Sequence, residues 1–364
     1  FTDEITFSSS ALLNEHFGAL SEEAKDYLRK LNMQVSDKDI FKMIDSLAGL
    51  KLLVIGDTII DEYHYTRQLG QSGKGTHMAV KYDSMERYAG GVIAIANHLS
   101  GFIGEVTCAT GLGKNNSHEE FIVSVLGKNV NPVFFYSDDC ETLVKKRYVD
   151  QDLSKLFEVY LGNDDPLSSK MNDQVEDWLE KMIEGFDLVI APDFGHGFIS
   201  DETIKILCGK ARFLAVNTQV NSGNRGYHAI TKYPRADFVS LNDGEIRLAM
   251  HNKYSPLQEL VSQLAKKTKA QNISVTLGSK GSMVYNYLEN KFYNAPILSS
   301  KVIDRVGAGD AFFGFFSICI AGGLSSEISN FIAGAAAALD VQIICNKEPI
   351  EKSDLFKFIT TIMK

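Results

Sequence analysis

Positive charge is in deficit along this chain: Lys and Arg total 37 against 46 Asp and Glu, a formal net charge of −9. Nucleic-acid affinity rests largely on cationic phosphate contacts, so a general polyanion-binding role is disfavoured. An anionic substrate has to be met by local devices, such as a helix N-terminus or one or two basic side chains. Cysteine is sparse too. Cys108, Cys140, Cys208, Cys319 and Cys345 are odd in number and widely spaced, with no C-x-x-C pair; this gives neither a disulfide framework nor a zinc knuckle and points to a reducing cytoplasm. No apolar run reaches the ~20 residues of a spanning helix, so no membrane association is expected. The longest run, Ala311 to Leu324, reads as a buried core helix. Phe1 is followed by neither a basic n-region nor a cleavage site, which leaves no secretory signal, and the missing Met suggests a piece of something longer. Nor does a Gly-x-Gly-x-x-Gly open a helix after the first strand, which disfavours a nicotinamide dehydrogenase.

What is present is an ordinary globular composition, 45% hydrophobic and 23% charged over 364 residues, enough for one large or two medium domains. Residues 1–50 carry polar segments with apolar residues every three to four positions, which predicts a helical N-terminal extension. From residue 51 to 364 the pattern changes. "KLLVIGD" is a continuous apolar strand of the kind buried on both faces. After it strands ("GEVTCATGLG", "VNPVFFYS", "DLVIAPDFG", "FLAVNTQ", "DFVSLND", "ISVTLGSKG") alternate with helices. The expected fold is α/β, a doubly wound, mainly parallel sheet with helices on both faces and ligands at the carboxyl ends of the strands. Two stretches, residues 62–88 and 143–160, alternate polar and apolar residues and predict a small second sheet acting as a lid.

The string Val302 to Phe316, "VIDRVGAGDAFFGFF", carries the most chemistry. Gly307, Ala308 and Gly309 feeding an apolar helix put small residues and unpaired N–H groups at a helix N-terminus, an anion hole. Asp310 in the first turn lies beside the bound anion, placed to take a proton from an attacking hydroxyl; the plainer alternative is a carboxylate stabilising its own helix dipole.

This string resembles the Asp-Thr-x-Gly-Ala-Gly-Asp signature of the ribokinase-like (PfkB) carbohydrate kinases, standing here as Asp304 to Asp310 with Arg305 in place of Thr. The resemblance covers roughly residues 50–350. It implies a ribokinase-like fold and transfer of the γ-phosphoryl group of ATP to a sugar or sugar-phosphate hydroxyl, with Asp310 as base and Gly307 to Gly309 holding the transferred group. It further implies that Asp57 and Asp61 bind sugar hydroxyls, with Gly90 and Gly91 at the matching helix start, although the Asn of that motif falls at Ala94. "LNDGE" supplies Asn242 and Glu245, a pattern the family uses to organise Mg²⁺ through water and otherwise a capping box. Thr276, Gly278, Gly281, Asn217 and Asp304 fall on the nucleotide side, where a plain turn is the alternative for residues 278–281. "TLVKKRYV" resembles a Thr-x-Lys-x-Arg lid segment with Lys145 and Arg147 as cations for a substrate phosphate, or a solvated charge run.

One branch stands out in this resemblance, the kinases acting on D-glycero-D-manno-heptose 7-phosphate on the route to ADP-heptose. "DFGHG", "VNTQ" and "CNKEP" depart from it at His196, Asn217, Gln219 and the last loop, which keeps open a second reading, a catalytically weakened kinase fold that binds or scaffolds. Ser8, Ser9 and Ser10 resemble the end of a nucleotidyltransferase domain, so residues 1–20 are expected to be the stump of a fused partner, or an ordinary Ser N-cap. Exposed lid strands make a homodimer through the lid an expectation as well.

Overall fold

The structure, a computed structural model, describes residues 20–162, 168–221 and 223–364. Ser8 to Ser10 lie outside the described residues. The main sheet has nine strands in the order β13-β12-β11-β10-β9-β8-β1-β4-β5. They are β1 (Lys51–Gly56), β4 (Glu105–Asn115), β5 (Val130–Glu141), β8 (Leu188–Asp193), β9 (Leu214–Thr218), β10 (Phe238–Asn242), β11 (Asn272–Thr276), β12 (Ser282–Asn286) and β13 (Lys291–Ala295). All neighbours from β5 to β11 pair in parallel, while β12 and β13 add an antiparallel edge. The mainly parallel doubly wound sheet expected from the sequence is therefore observed. The hairpin β12–β13 closes an edge that the sequence pattern alone does not announce.

Strand β1 shows how the sheet is buried. Leu52 and Val54 belong to one apolar core and Leu53 and Ile55 to another, all at 1% exposure or less, because successive side chains of a strand point to opposite faces. The first core is packed by helices Gly91–Ser100, Ala308–Ala321, Ser326–Asp340 and Lys352–Ile362, the second by Ser169–Met182, Asp201–Lys210 and Leu257–Thr268. The run from Ala311 is, as expected, a core helix: Phe313, Phe315 and Phe316 are fully buried and Phe316 stacks on Phe238 at 4.3 Å.

The N-terminal extension contains helices Glu22–Asn32 and Asp37–Ser46, each capped by the hydroxyl of a preceding Ser, as Ser N-caps do. These helices pack on the C-terminal helix. Phe41 stacks on Phe356 at 4.1 Å and Asn32 Nδ2 donates to Met363 O at 2.6 Å. Leu28, Leu31, Ile40 and Ile44 join the core that holds Leu52 and Val54 of β1.

The second sheet, in the order β3-β2-β6-β7, is built from β2 (Thr58–Gln71), β3 (Met78–Gly90), β6 (Val144–Val149) and β7 (Lys155–Leu161). It leaves the main sheet directly after β1, so the second sheet is anchored where the main-sheet order turns from β8 to β4, the switch point where ligands bind in such sheets.

Ile40→Ala is expected to cost about 2–5 kcal/mol, the usual penalty for emptying a fully buried aliphatic site. Urea denaturation showing one shifted transition would confirm that the extension shares the main core; an unchanged midpoint would refute it.

Candidate active site

Two clefts meet at the N-terminal end of helix Ala308–Ala321. The first is lined by Ile59, Asp61, Gly91, Lys145, Arg147, Gln219, Gly307, Gly309, Asp310 and Asn346, beneath the lid, and holds about 210 Å³. The second, about 250 Å³ and mainly apolar, is lined by Thr276, Gly278, Gly281, Leu298, Phe312, Ala337, Ala338 and Val341. Arg305 and Gly309 line both. A group passing from one cleft to the other passes Gly309, where an added Cβ would meet nothing within 4 Å. Gly307 is the N-cap at φ +102°, a conformation that favours glycine, and a Cβ there would collide with Asn346 Oδ1.

Asp310 is 8% exposed in the first turn of this helix. Burial, then the charge of Asp61, raises its carboxyl to about 7, with Lys145 opposing and Glu245 adding to the rise. A carboxylate near neutrality is suited to general base chemistry. Lys145 and Arg147 stand at alternate positions of β6, opposite Asp61 and Tyr63 of β2. Arg147 is ion-paired with Asp61 and, at 3.1 Å, with Glu158. Lys145 makes no ion pair among the described residues; it lies 5.2 Å from the centre of the Tyr160 ring, and burial lowers its pKa. A Cβ on Gly90 would collide with Asp61 Oδ2, so the glycine leaves room for that carboxylate.

Residues 50–344 match the pfkB family carbohydrate kinases. The chain belongs to that family. Similar curated proteins include the bifunctional protein HldE of Trichlorobacter lovleyi, 24% identical over 308 residues. HldE of Helicobacter pylori strain G27 is 25% identical over 297 residues. These alignments cover 82% and 80% of this chain, which spans 62% of the length of each relative. Among solved structures, the Arabidopsis thaliana ribokinase complexed with ribose and ATP superposes with a TM-score of 0.65 at 19% identity, covering 85% of this chain and 99% of that one. The Escherichia coli phosphofructokinase-2 complexed with potassium gives 0.69 at 15% identity, covering 86% and 100%. The ribokinase-like fold and the ATP-dependent carbohydrate kinase domain read from the sequence stand with these matches.

Several residues expected at this kinase's site are engaged elsewhere. Asp57, at the end of β1, does not line the cleft of Asp310: its carboxylate accepts backbone N–H groups of Phe194, His196 and Phe198 at 3.1, 3.4 and 3.1 Å and so holds the loop after β8. Asp304 accepts from the backbone N–H of Arg305 and Val306 at 2.7 and 3.2 Å and from Tyr63 and Lys155 of the lid at 2.6 and 3.3 Å, away from the nucleotide-side cleft. Asn217 donates to Ser240 O at 3.0 Å within the sheet and lines neither cleft; its Oδ1 is buried without a hydrogen-bond partner among the described residues. Asn242 and Glu245 form a complete capping box at 2.9 and 2.8 Å, with Val220 N–H donating to Glu245 at 3.2 Å. Burial raises the Glu245 carboxyl. With both oxygens already accepting backbone donors, this pair suits a hydrated ion rather than direct coordination. Among the described residues no group of three or more His, Cys, Asp or Glu side chains could hold a metal, and no helix is long and apolar enough to cross a membrane. Arg305, Gln219 and Asn346 line the cleft although the sequence reading gave them no functional role: Arg305 and Gln219 counted as departures, and Asn346 lies in the last loop, which counted as one too.

Asp310→Asn is expected to lower turnover by about 10²–10⁴-fold, the share of a general base, with activity of the parent rising as pH passes upward through about 7. The sign for stability is opposite. A carboxyl raised from 3.8 to about 7 in the folded state gives stability that is complete below 3.8 and lost as pH rises through 7. The Asn variant should therefore melt above the parent at pH 8, with the gap closing toward pH 4. Gly309→Val should abolish turnover with little change in melting temperature, because its side chain enters open cleft rather than packed core. Retained turnover in either variant refutes the assignment.

Proposed function

We propose that this kinase domain transfers the γ-phosphoryl group of ATP to a hydroxyl of a sugar phosphate of the heptose 7-phosphate kind. The observation that carries the reading is the convergence of Asp310, the Gly307–Gly309 turn and an unpaired, buried ammonium, Lys145, on one cleft. The similarity to bifunctional HldE proteins supports it, and the share of those proteins that this chain does not span is consistent with a fused second domain. The apolar cleft beside Gly309 suits a nucleoside, with Thr276, Gly278 and Gly281 along its wall.

In this reading Asp310 takes the proton of the acceptor hydroxyl as it attacks, and the N–H groups at the helix start meet the charge gathered on the phosphoryl oxygens. Asp61 orients sugar hydroxyls while Arg147 fixes Asp61, and the lid excludes water. Asn242 and Glu245 would hold Mg²⁺ through water, and that ion, when bound, neutralises triphosphate charge. The substrate phosphate falls to Lys145 rather than Arg147, because two carboxylates already neutralise the guanidinium. The retained base and anion hole favour turnover over a purely scaffolding role.

Lys145→Met is expected to raise KM for heptose 7-phosphate about 10- to 100-fold, the value of one charge-assisted hydrogen bond, and to leave KM for the unphosphorylated heptose unchanged. Steady-state ATP consumption with both sugars tests it. Equal effects on the two would replace the sugar phosphate with a neutral sugar. Arg147→Ala should instead destabilise the fold by about 3–5 kcal/mol, since it strands the buried Asp61.

A further inference from the structure

Behind Gly307 lies a buried polar cluster that the reaction described so far does not use. His98, on helix Gly91–Ser100 and 1% exposed, accepts the backbone N–H of Ile350 on Nδ1 at 3.1 Å. Burial holds its imidazole down at about 4, so the ring is neutral and its single proton sits on Nε2. Nε2 stands 3.2 Å from Asn346 Oδ1 and 3.4 Å from Asp340 Oδ1. The ring nitrogen is thus a donor and Asn346 must present its oxygen to it. That fixes the amide orientation and leaves the NH₂ group of Asn346 without a protein acceptor among the described residues.

Asn346 lines the same cleft as Asp310, Lys145 and Gly309, and its side chain abuts Gly307. Its backbone and that of Cys345 are both left-handed, at φ +52° and +42°, two consecutive non-glycine residues in a conformation that costs energy and persists where the surroundings over-determine it. Asp340, 1% exposed, accepts no hydrogen bond on either oxygen among the described residues. Burial, then the charges of Asp310 and Asp304, pushes its carboxyl up to about 8. A neutral carboxyl at this place puts no charge behind the anion hole.

We propose that Asn346 is a further anion-binding residue of this kinase, its NH₂ group donating to the phosphoryl group in the cleft it shares with Asp310 while its oxygen faces Gly307 and His98, and that His98 is the positioning residue that fixes the amide in that orientation. The assignment rests on the kinase reading above. It explains why the last loop keeps a strained Asn against the signature glycine, and it gives the hole a side-chain donor beside its backbone N–H groups.

The test is binding of ADP and of the β,γ-imido analogue of ATP, measured by calorimetry on the folded protein and its variants. Asn346→Asp keeps the shape and tolerates the left-handed backbone but replaces the donor with a negative oxygen. Asn346→Gly removes the side chain and relieves the strain. Both should lose about 10- to 100-fold in affinity for the imido analogue, as expected for one hydrogen bond to a charged group, with ADP affinity unchanged. His98→Phe, which cannot donate, should lose as much as Asn346→Gly. His98→Gln, whose amide can donate from the same end, should recover most of the affinity. Unchanged imido-analogue affinity in both Asn346 variants overturns the proposal, and so does an equal loss for ADP. Equal losses in the two His98 variants remove His98 from the positioning role. A parent protein that binds neither nucleotide would take the kinase reading down, and this proposal with it.

Discussion

The carboxylate of Asp304 is the contact on which the geometry of the candidate active site depends. It lies just before the signature glycines and accepts from the backbone N–H groups of Arg305 and Val306, which sets the turn into Gly307. It also accepts from Tyr63 on β2 and Lys155 on β7, two strands of the lid. One group therefore couples the position of the anion hole to the position of the sheet that bears Asp61, Lys145 and Arg147. A buried carboxylate left without such donors would be costly; with four of them it joins two parts of the chain that are some 240 positions apart in sequence, Tyr63 and Asp304.

Around that joint the protein concentrates carboxyl groups where the proposed substrates would bring more negative charge. Asp61, Asp310 and Asp340 are all buried near the helix start. The arrangement is tolerable because the charges are not all present together. Asp61 is paired with Arg147, while burial keeps Asp310 and Asp340 largely protonated at pH values below about 7 and 8. Lys145 is left as the cation facing the cleft from the lid, and Arg305 stands where the two clefts join. In the proposed reading an acidic chain would thus hold anions locally without a basic surface.

Much of this could be read in the sequence, because its signals were local. The alternation of apolar runs with helical periodicity gave the parallel sheet, and period-2 patterning with Tyr and Val gave the lid. The Gly-Ala-Gly-Asp string marked a helix start with a carboxylate in its first turn. What was not legible depends on long-range pairing. Asp57 and Asp304 are acidic residues in suggestive motifs, yet Asp57 accepts backbone N–H groups from 137 to 141 positions away and Asp304 accepts from Tyr63 and Lys155 of the second sheet, a choice that no local pattern encodes. Asn-x-x-Glu carried two readings, and the capping box formed in full. The hairpin β12–β13 sits at an edge whose partner is set only by the completed sheet.

Asn346 shows the same limit from the other side. Nothing in "CNKEP" distinguishes it from an ordinary polar loop residue. Its chemistry follows from a chain of hydrogen bonds in which each donor decides the next: Ile350 N–H fixes the tautomer of His98, and the proton left on Nε2 fixes the amide of Asn346. A departure from a family pattern can therefore remove one contact and supply another. Ala94 takes an amide out of the helix that begins at Gly91, while His98, one turn further along that helix, orients an amide brought in from the last loop. The substitutions that looked like erosion of a kinase site when read one at a time are, in three dimensions, partly a rearrangement of where its polar groups come from.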